Sequence, residues 1–326
     1  MFEELIPEVR TLTADDLGIG IKAKAATGHA SSAPDAPEIA ANDPRVQEII
    51  RLANQFGGVL LSGPPGTSKS FYAAAAAQHL TGGDNARCRF VQFHASYQYE
   101  DFMLGFSPEN DGFGIKKGPF LSLAHDAKDD PGNAYVLVID ELSRADVGRV
   151  FGEALTYVER SKRELPFRIA NGDELVVPTN LIILATMNPF DRGVDEVDAA
   201  FERRFAKISM DPSAELLEGI LVDNEMDEAL AAGVLRWFRR VNEHARKNPA
   251  AAVGHAYFAD ASDTASLMDI WEYQLKYLVQ RAFRRDVNTL ADVEAAWKRT
   301  FVVPAPEGTP MGASGREPPP DPEAGQ

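Results

Sequence analysis

One short segment of the sequence has the composition of a phosphate-binding loop. It reads GPPGTSKS, and it follows the apolar run Val59–Leu61 and precedes an Ala-rich helical pattern. Such a loop points its backbone N–H groups inward at a helix N-terminus, where they bind phosphate oxygens. Lys69 is then expected to contact the phosphates of a nucleotide, and the Ser70 hydroxyl to bind Mg²⁺. The predicted contacts are Gly63, Pro64, Pro65, Gly66, Thr67, Ser68, Lys69 and Ser70.

Ser68 departs from the usual pattern of these loops, because it stands where the second glycine is expected. Its Cβ narrows the permitted backbone angles and crowds the phosphate site. The alternative to a phosphate loop is a Gly/Pro turn before an ordinary helix. The position between a strand and a helix favours the phosphate loop.

Asp140 and Glu141 form a second group of chemical interest, at the end of the apolar run Tyr135–Ile139. Downstream of a phosphate loop, Asp140 is expected to hold Mg²⁺ and Glu141 to polarise the attacking water as general base. Two acids after an apolar run also occur where a strand meets a solvated loop. The phosphate loop that precedes them favours the catalytic pair.

Asn188 and the pair Arg203 and Arg204 complete the candidate catalytic residues. Asn188 follows the apolar run Leu181–Thr186, and an amide at a strand end can orient water against the γ-phosphate. An Asn before Pro is also an ordinary turn signal. The two arginines have two interpretations: a solvated helix end, or arginine fingers that reach a neighbouring subunit's γ-phosphate.

The elements that must position these residues alternate between strands and helices. Because strands separated by helical patterns form parallel sheets, the first part of the chain is predicted to be an α/β layer. The predicted strands are Val59–Leu61, Phe90–His94, Tyr135–Ile139 and Leu181–Thr186, with helices at Ser70–Leu80 and Val147–Val158. After Pro212 the pattern is wholly helical, over 213–222, 227–247, 263–284 and 290–300.

The chain is therefore predicted to divide into an α/β subdomain and a smaller helical lid. The ends have the composition of flexible segments, rich in Ala, Ser, Pro and Gly. The predicted bounds are 1–44 for an N-terminal segment and linker, 45–211 for the α/β nucleotide-binding subdomain, 212–303 for the α-helical lid and 304–326 for a disordered tail.

Composition excludes several classes of protein. The formal net charge is −16, which disfavours DNA binding by the whole surface but leaves room for a local basic loop. Cys88 is the single cysteine, so no disulfide within the chain is expected, as suits a reducing cytoplasm. No apolar run is long enough to span a membrane, and the N-terminus does not resemble a secretory signal. We expect a cytoplasmic protein.

These elements, in this order, resemble an AAA+ module, and finer segments resemble its McrB-like branch, the motor subunits of modification-dependent restriction systems. The resemblance covers about residues 45–303. The segments that carry it are FVQFHASYQYEDF at 90–102, DELSRA at 140–145, VFGE at 150–153, MNPFDR at 187–192 and GHAYF at 254–258.

The resemblance implies a role for each matching residue. Lys69 and Ser70 match the phosphate and Mg²⁺ contacts, and Asp140 with Glu141 matches the metal and base pair. Asn188 matches the first sensor, Asp191 and Arg192 complete the family's signature, and Arg203 with Arg204 matches the region of the arginine fingers.

The resemblance also predicts two hairpins, at Gly105–Phe120 and Phe167–Val177, which line the pore in related rings. The related MoxR branch has both. Lys116 and Lys117 in the first hairpin have two interpretations, a solvated tip or a contact with DNA or a protein partner. His255 has two as well, a second sensor or a lid residue packed against the module.

Three residues depart from the McrB pattern: Ser143 stands where Asn is common, Pro189 where Thr is usual and Gly193 where Ser is usual. McrB itself uses GTP, whereas much of the wider branch uses ATP. We expect hydrolysis of ATP, with GTP left open.

The resemblance implies a ring-forming motor, a hexamer, that drives a separate effector such as an McrC-like nuclease. The sequence shows no nuclease constellation, so nucleic acid is expected to be reached only indirectly or through pore loops. Two alternatives stay open. One is a MoxR-like ATPase chaperone, and the other is a nucleotide-gated scaffold with little turnover, for which Ser68 is the motive.

Overall fold

The computed structural model describes residues 39–109, 112–190 and 199–301. The predicted site residues Asp191 and Arg192 lie outside the described residues, as does Gly193. Most of the predicted N-terminal segment and all of the predicted tail lie outside them as well.

A five-stranded sheet forms the centre of the α/β part. The strands of the described residues are β1 (Gly58–Ser62), β2 (Cys88–Gln92), β3 (Leu104–Glu109), β4 (Gly112–Lys117), β5 (Tyr135–Asp140), β6 (Phe167–Arg168), β7 (Glu174–Leu175), β8 (Leu181–Met187) and β9 (Ala206–Ser209). In the central sheet they lie in the order β2-β5-β8-β1-β9, and every pairing is parallel.

Helices cover both faces of this sheet, and further helices form the C-terminal region, for which we keep the name lid. In the α/β part they are α1 (Pro44–Phe56), α2 (Lys69–Thr81), α3 (Tyr99–Phe102), α4 (Pro119–Asp129), α5 (Val147–Phe151), α6 (Ala154–Tyr157) and α7 (Ala199–Glu202). In the lid they are α8 (Ala214–Asp223), α9 (Glu228–Ala245), α10 (Thr264–Ile270), α11 (Lys276–Phe283) and α12 (Val287–Thr300).

The central strands are apolar throughout because both faces of the sheet are buried. Along β1, Val59 and Leu61 face a core that includes the Ala-rich helix α2, whereas Leu60 faces a second core that includes Phe151. The predicted α/β fold with a helical region behind it is confirmed.

The predicted strand Phe90–His94 lies two residues too far along the chain. The observed strand β2 pairs with the buried strand β5 from Cys88 opposite Val136 to Gln92 opposite Asp140. Beyond it, the backbone N–H of Phe93 still donates to Asp140, but a turn begins at His94. Pairing with β5 determines where β2 begins and ends, and the apolar residues along the chain do not indicate these bounds.

The predicted continuous helix Val147–Val158 is interrupted at Gly152. The backbone there has φ 52° and ψ −130°, a region that residues with a Cβ rarely adopt. A Cβ at this position would lie 2.7 Å from the ring of Tyr99. The predicted buried face is correct, because the helices on either side of Gly152 bury Val150 and Ala154. The segment nevertheless forms two short helices and not one.

The lid helices pack around an aromatic core. The rings of Trp237 and Trp271 both approach Trp297, with centroids 4.9 Å away in each case. The predicted helix 263–284 is observed as α10 and α11, joined by a π-helical turn at Trp271–Leu275.

The two predicted hairpins are observed as the antiparallel pairs β3–β4 and β6–β7. On the first of them, Phe106, Ile115, Lys116 and Lys117 are exposed.

Within the described residues, no helix combines the length and apolarity needed to cross a membrane. The location of the protein in the cell stays a prediction.

Candidate nucleotide-binding site

Three parallel strands bring the candidate residues to one edge of the sheet. Because β1, β5 and β8 run in the same direction, their carboxyl ends lie side by side, and Ser62 pairs with Met187. The phosphate loop starts directly after Ser62, and the N–H of Gly63 donates to the carbonyl of Met187 at 3.2 Å. Asp140 ends the strand on the other side of β8.

The phosphate loop turns through two residues with positive φ, Gly66 at 73° and Ser68 at 59°. Inside it, the carbonyl of Pro64 accepts hydrogen bonds from the Thr67 hydroxyl at 2.9 Å and from Lys69 Nζ at 2.7 Å. The helix α2 begins at Lys69, so the loop ends at a helix N-terminus, where backbone N–H groups and the helix dipole favour an anion.

Ser70 and Asp140 meet although they lie 70 positions apart in the sequence, with Ser70 Oγ donating to Asp140 Oδ1 at 2.5 Å. The same Oδ1 atom accepts from the hydroxyl of Thr186 at 2.6 Å. A hydroxyl and a carboxylate are hard oxygen ligands, and Mg²⁺ characteristically takes one or two such protein ligands together with substrate phosphates. The pair therefore fits the predicted metal role.

Thr186 is a further candidate residue of the site, which we did not predict from the sequence. Besides its bond to Asp140, its Oγ1 atom accepts the backbone N–H of Glu141 at 3.2 Å. Glu141 has φ 55° and ψ 43°, a left-handed conformation. The bond from its N–H therefore helps to hold a backbone that a non-glycine residue adopts at a cost. The sequence offered one signal for this role, because Thr186 is a polar residue near the end of the otherwise apolar strand β8.

The carboxylate of Glu141 lies beside the guanidinium of Arg144, with Oε2 and Nε 3.5 Å apart. Both side chains are more than a third exposed, and an exposed pair of this kind contributes well under about 1 kcal/mol to stability. Glu141 Oε2 accepts no hydrogen bond from the described residues.

Asn188 is buried one residue beyond β8, and its Oδ1 accepts the backbone N–H of Phe190 at 3.1 Å. This bond orients the side chain at the same sheet edge as Asp140.

The predicted arginine pair separates into two environments. Arg203 is exposed, as a residue must be if it is to reach another subunit. The Arg204 side chain is only 6% exposed, and its Nε lies 4.0 Å from Glu159 Oε2 in the same chain. The arrangement suits Arg203 to a contact in trans and Arg204 to a role within its own subunit.

The lid contacts the phosphate loop through the segment Gly254–Phe258, which we call the lid turn. Gly254 lies so close that a Cβ would come 1.9 Å from the carbonyl oxygen of Gly66. The next residues add two hydrogen bonds, from the N–H of Ala256 to Gly66 O at 2.9 Å and between His255 Nε2 and Ser68 Oγ at 3.1 Å. Burial lowers the pKa of His255 to about 4, so its ring is neutral at physiological pH.

A cavity of about 840 Å³ lies between the phosphate loop and the lid, with Pro64 and Phe190 on one side and Phe238, Arg239 and Asn242 of the lid on the other. Its volume is in the range of small-molecule sites.

Comparison with known proteins agrees with this geometry. Residues 58–205 match the AAA domain of the dynein-related subfamily. The chain is 32% identical over 227 residues to the type IV methyl-directed restriction enzyme EcoKMcrB subunit of Escherichia coli (strain K12), covering 65% of this chain and 50% of that protein. It is 26% identical over 188 residues to the type II restriction enzyme BsuMI component YdiS of Bacillus subtilis (strain 168), covering 45% of this chain and 55% of that protein.

The chain thus spans about half the length of the curated relatives that it matches. Among solved structures, that of PCH-2 from C. elegans aligns with a TM-score of 0.36 and 14% identity, over 78% of this chain and 66% of that chain. The matched segment 58–205 contains the phosphate loop, the Asp140–Glu141 pair and Asn188. The chain carries an AAA domain of the dynein-related subfamily and is a homologue of the McrB restriction subunit.

Proposed function

We propose that this protein hydrolyses a nucleoside triphosphate at the sheet edge where the phosphate loop meets β5 and β8. The observation that supports the proposal best is the contact of Ser70 Oγ with Asp140 Oδ1 at 2.5 Å, directly behind a loop that ends at a helix N-terminus. Two residues far apart in sequence place their oxygens together where the phosphates of a nucleotide would lie.

In this proposal each residue of the site has one task. Lys69 transfers its hydrogen bond from the Pro64 carbonyl to the phosphates of the substrate, and Ser70 and Asp140 would hold Mg²⁺, which when bound neutralises charge on the phosphate oxygens. Glu141 accepts a proton from the attacking water, and Asn188 orients that water.

The family resemblance, and not the geometry of the site, supports our choice of the nucleotide base. ATP is the substrate that we favour, because much of the wider McrB-like branch uses it and because Ser143 and Pro189 depart from the McrB pattern. GTP is the alternative. Turnover of both nucleotides in one competition reaction measures the preference, and a specificity ratio for GTP above about 100 would contradict ours.

We further propose that the protein acts as a ring-forming motor subunit, a hexamer, for a separate effector such as an McrC-like nuclease. The names of its relatives, a restriction enzyme subunit and a restriction enzyme component, support an assembly of several polypeptides. The exposed Arg203 supports completion of the site by a neighbouring subunit. The MoxR-like chaperone and the nucleotide-gated scaffold stay predictions without a structural observation in their favour.

The substitution Glu141→Gln tests the hydrolytic proposal. It replaces the proposed base by an amide of the same size, so nucleotide binding should persist while turnover falls by a factor on the order of 10²–10⁴. Binding is measured by titration with ATP and Mg²⁺, and turnover by phosphate release. Glu174→Gln, an exposed carboxylate on β7, is the matched control and should hydrolyse normally. Turnover of Glu141→Gln at the wild-type rate would refute the assignment of the base.

A further inference from the structure

Ser68 of the phosphate loop and His255 of the lid contact each other across the interface of the two subdomains. Ser68 occupies a glycine position of the loop and has φ 59° and ψ 25°, in the left-handed region that favours glycine. His255 belongs to the lid turn and is 2% exposed. Ser68 Oγ and His255 Nε2 are 3.1 Å apart, although the two residues lie on different subdomains.

The second ring nitrogen of His255 determines the direction of this hydrogen bond. The backbone N–H of Ser213 points to His255 Nδ1 at 3.3 Å, so Nδ1 is an acceptor and carries no proton. In a neutral imidazole the proton is then on Nε2. His255 therefore donates to the hydroxyl oxygen of Ser68, and its tautomer is set by the start of the lid.

The lid turn also holds the other residue of the loop that has positive φ. The N–H of Ala256 donates to Gly66 O at 2.9 Å, and Gly254 approaches the same carbonyl too closely for any Cβ. Both bends of the loop, at Gly66 and Ser68, are thus bonded to the lid turn. A glycine at position 68 would adopt its backbone angles without help, whereas a serine benefits from an external contact.

We propose that Ser68 and His255 form a latch through which the lid positions the phosphate loop for nucleotide binding. His255 is a positioning residue in this proposal, because it acts on the phosphates only through Ser68. The hydrogen bond holds Ser68 in the left-handed conformation that points the following backbone N–H groups into the phosphate site. Rotation of the lid away from the loop breaks the bond and loosens the loop, which couples lid orientation to nucleotide affinity. The proposal rests on the nucleotide site proposed above.

The test is a set of variants of the full chain, titrated with ADP and Mg²⁺ by calorimetry. Ser68→Ala retains the Cβ and removes the hydroxyl, and His255→Leu removes the donor. Each should weaken ADP binding by about tenfold, as the loss of one buried hydrogen bond does, and the double variant should bind no more weakly than either single variant. His255→Gln carries an amide that can donate to Ser68, and it should recover binding only when Ser68 is present.

Ser68→Gly provides the sharpest comparison, because it restores the usual glycine and should free the loop from the lid. In the Ser68→Gly background, His255→Leu should change ADP affinity by less than about twofold. His244→Leu is the matched control: it removes another lid histidine, which is bonded to Asp292 at 3.0 Å and lies outside the lid turn, and it should leave ADP affinity unchanged. Equal losses for His255→Leu in the wild-type and Ser68→Gly backgrounds would overturn the latch and leave His255 as a packing residue of the lid.

A second measurement needs no nucleotide. All three tryptophans of the chain, Trp237, Trp271 and Trp297, lie in the lid, so thermal unfolding followed by tryptophan fluorescence reports on the lid. Ser68→Ala and His255→Leu should lower the midpoint by amounts that do not add, whereas additive shifts would contradict the latch. Failure of wild-type protein to bind ADP or ATP would contradict the nucleotide site itself, and the fluorescence cycle would still decide whether the two residues are coupled.

Discussion

At the scale of single residues, Thr186 connects the two candidate catalytic carboxylates. Its hydroxyl donates to Asp140 and its oxygen accepts the N–H of Glu141. It therefore fixes both the carboxylate that would hold Mg²⁺ and the backbone from which the proposed base projects. Thr186 is only 2% exposed, so its hydroxyl does not exchange these two partners for solvent water.

We expect Thr186→Val to lower both turnover and stability. Valine has nearly the same shape but leaves Asp140 with one donor fewer and the Glu141 N–H without its acceptor. The loss of each bond costs about 1–3 kcal/mol, and a misplaced base lowers turnover by on the order of tenfold or more. Turnover and urea unfolding are measured together.

Thr81→Val is the control for this prediction. Thr81 is equally buried, and its hydroxyl bonds the carbonyl of Ala77 within a helix away from the site. It should change stability without changing turnover. If Thr186→Val hydrolyses nucleotide as fast as Thr81→Val, the hydroxyl does not position the site.

At the scale of elements, a buried arginine ties the β6–β7 hairpin region to the start of the central sheet. Arg163 is 5% exposed, and its guanidinium donates to backbone carbonyls of three separate segments. Burial lowers its pKa to about 10, which still leaves it charged at neutral pH. The accepting carbonyls belong to Gly57, Val158, Pro178 and Leu181.

We expect Arg163→Met to destabilise the protein by about 3–5 kcal/mol, because it leaves several buried carbonyls without a donor. Arg163→Lys should recover only part of the loss, since an ammonium cannot reproduce the planar fork of a guanidinium. The free energy of unfolding in urea measures the effect. Arg168→Met, an exposed arginine on β6, is the control. A loss below about 1 kcal/mol for Arg163→Met would show that water replaces the guanidinium without penalty.

At the scale of the whole molecule, the different environments of Arg203 and Arg204 bear on assembly. Only the exposed residue can reach a neighbouring subunit without rearrangement. An arginine supplied in trans contributes on the order of 10³–10⁵ in rate to related reactions. The proposed ring would therefore hydrolyse nucleotide at its interfaces.

We expect Arg203→Ala subunits to regain hydrolysis when they are mixed with Lys69→Ala subunits. The first lacks the finger and the second lacks the phosphate contact, so each alone is inactive. In a mixed ring, some interfaces combine an intact phosphate loop with an intact Arg203. Phosphate release is measured across mixing ratios, with size-exclusion chromatography to show that mixed rings form.

Arg204→Ala should behave differently from Arg203→Ala. Because the Arg204 side chain is buried near Glu159, its removal should lower the midpoint of thermal unfolding, whereas Arg203→Ala should leave the midpoint unchanged. Recovery of activity by Arg204→Ala subunits, but not by Arg203→Ala subunits, would reverse our assignment of the finger.

Much of the architecture could be predicted from the sequence because it depends on local patterns. Apolar runs predicted the strands β1, β5 and β8. The polar residues that follow these runs predicted the site, because the carboxyl ends of parallel strands lie at one edge of a sheet. The family resemblance followed from the same segments and is confirmed. The predicted bounds of β2 and the predicted continuous helix Val147–Val158 were wrong, because pairing with β5 sets the bounds of the strand and the close contact with Tyr99 accompanies the break at Gly152.

Only the tertiary structure revealed how residues distant in sequence act on one another. Ser68 and His255 are 187 positions apart, and no periodicity relates them. Thr186 acquires its role from the parallel alignment of β5 with β8, and Arg204 separates from Arg203 because one side chain is buried and the other is exposed. The sequence determines which side chains and local elements are present, whereas the packing of subdomains and strands determines which polar groups meet. The physical reason is that a hydrogen bond forms only when the donor–acceptor distance falls within a range a few tenths of an ångström wide.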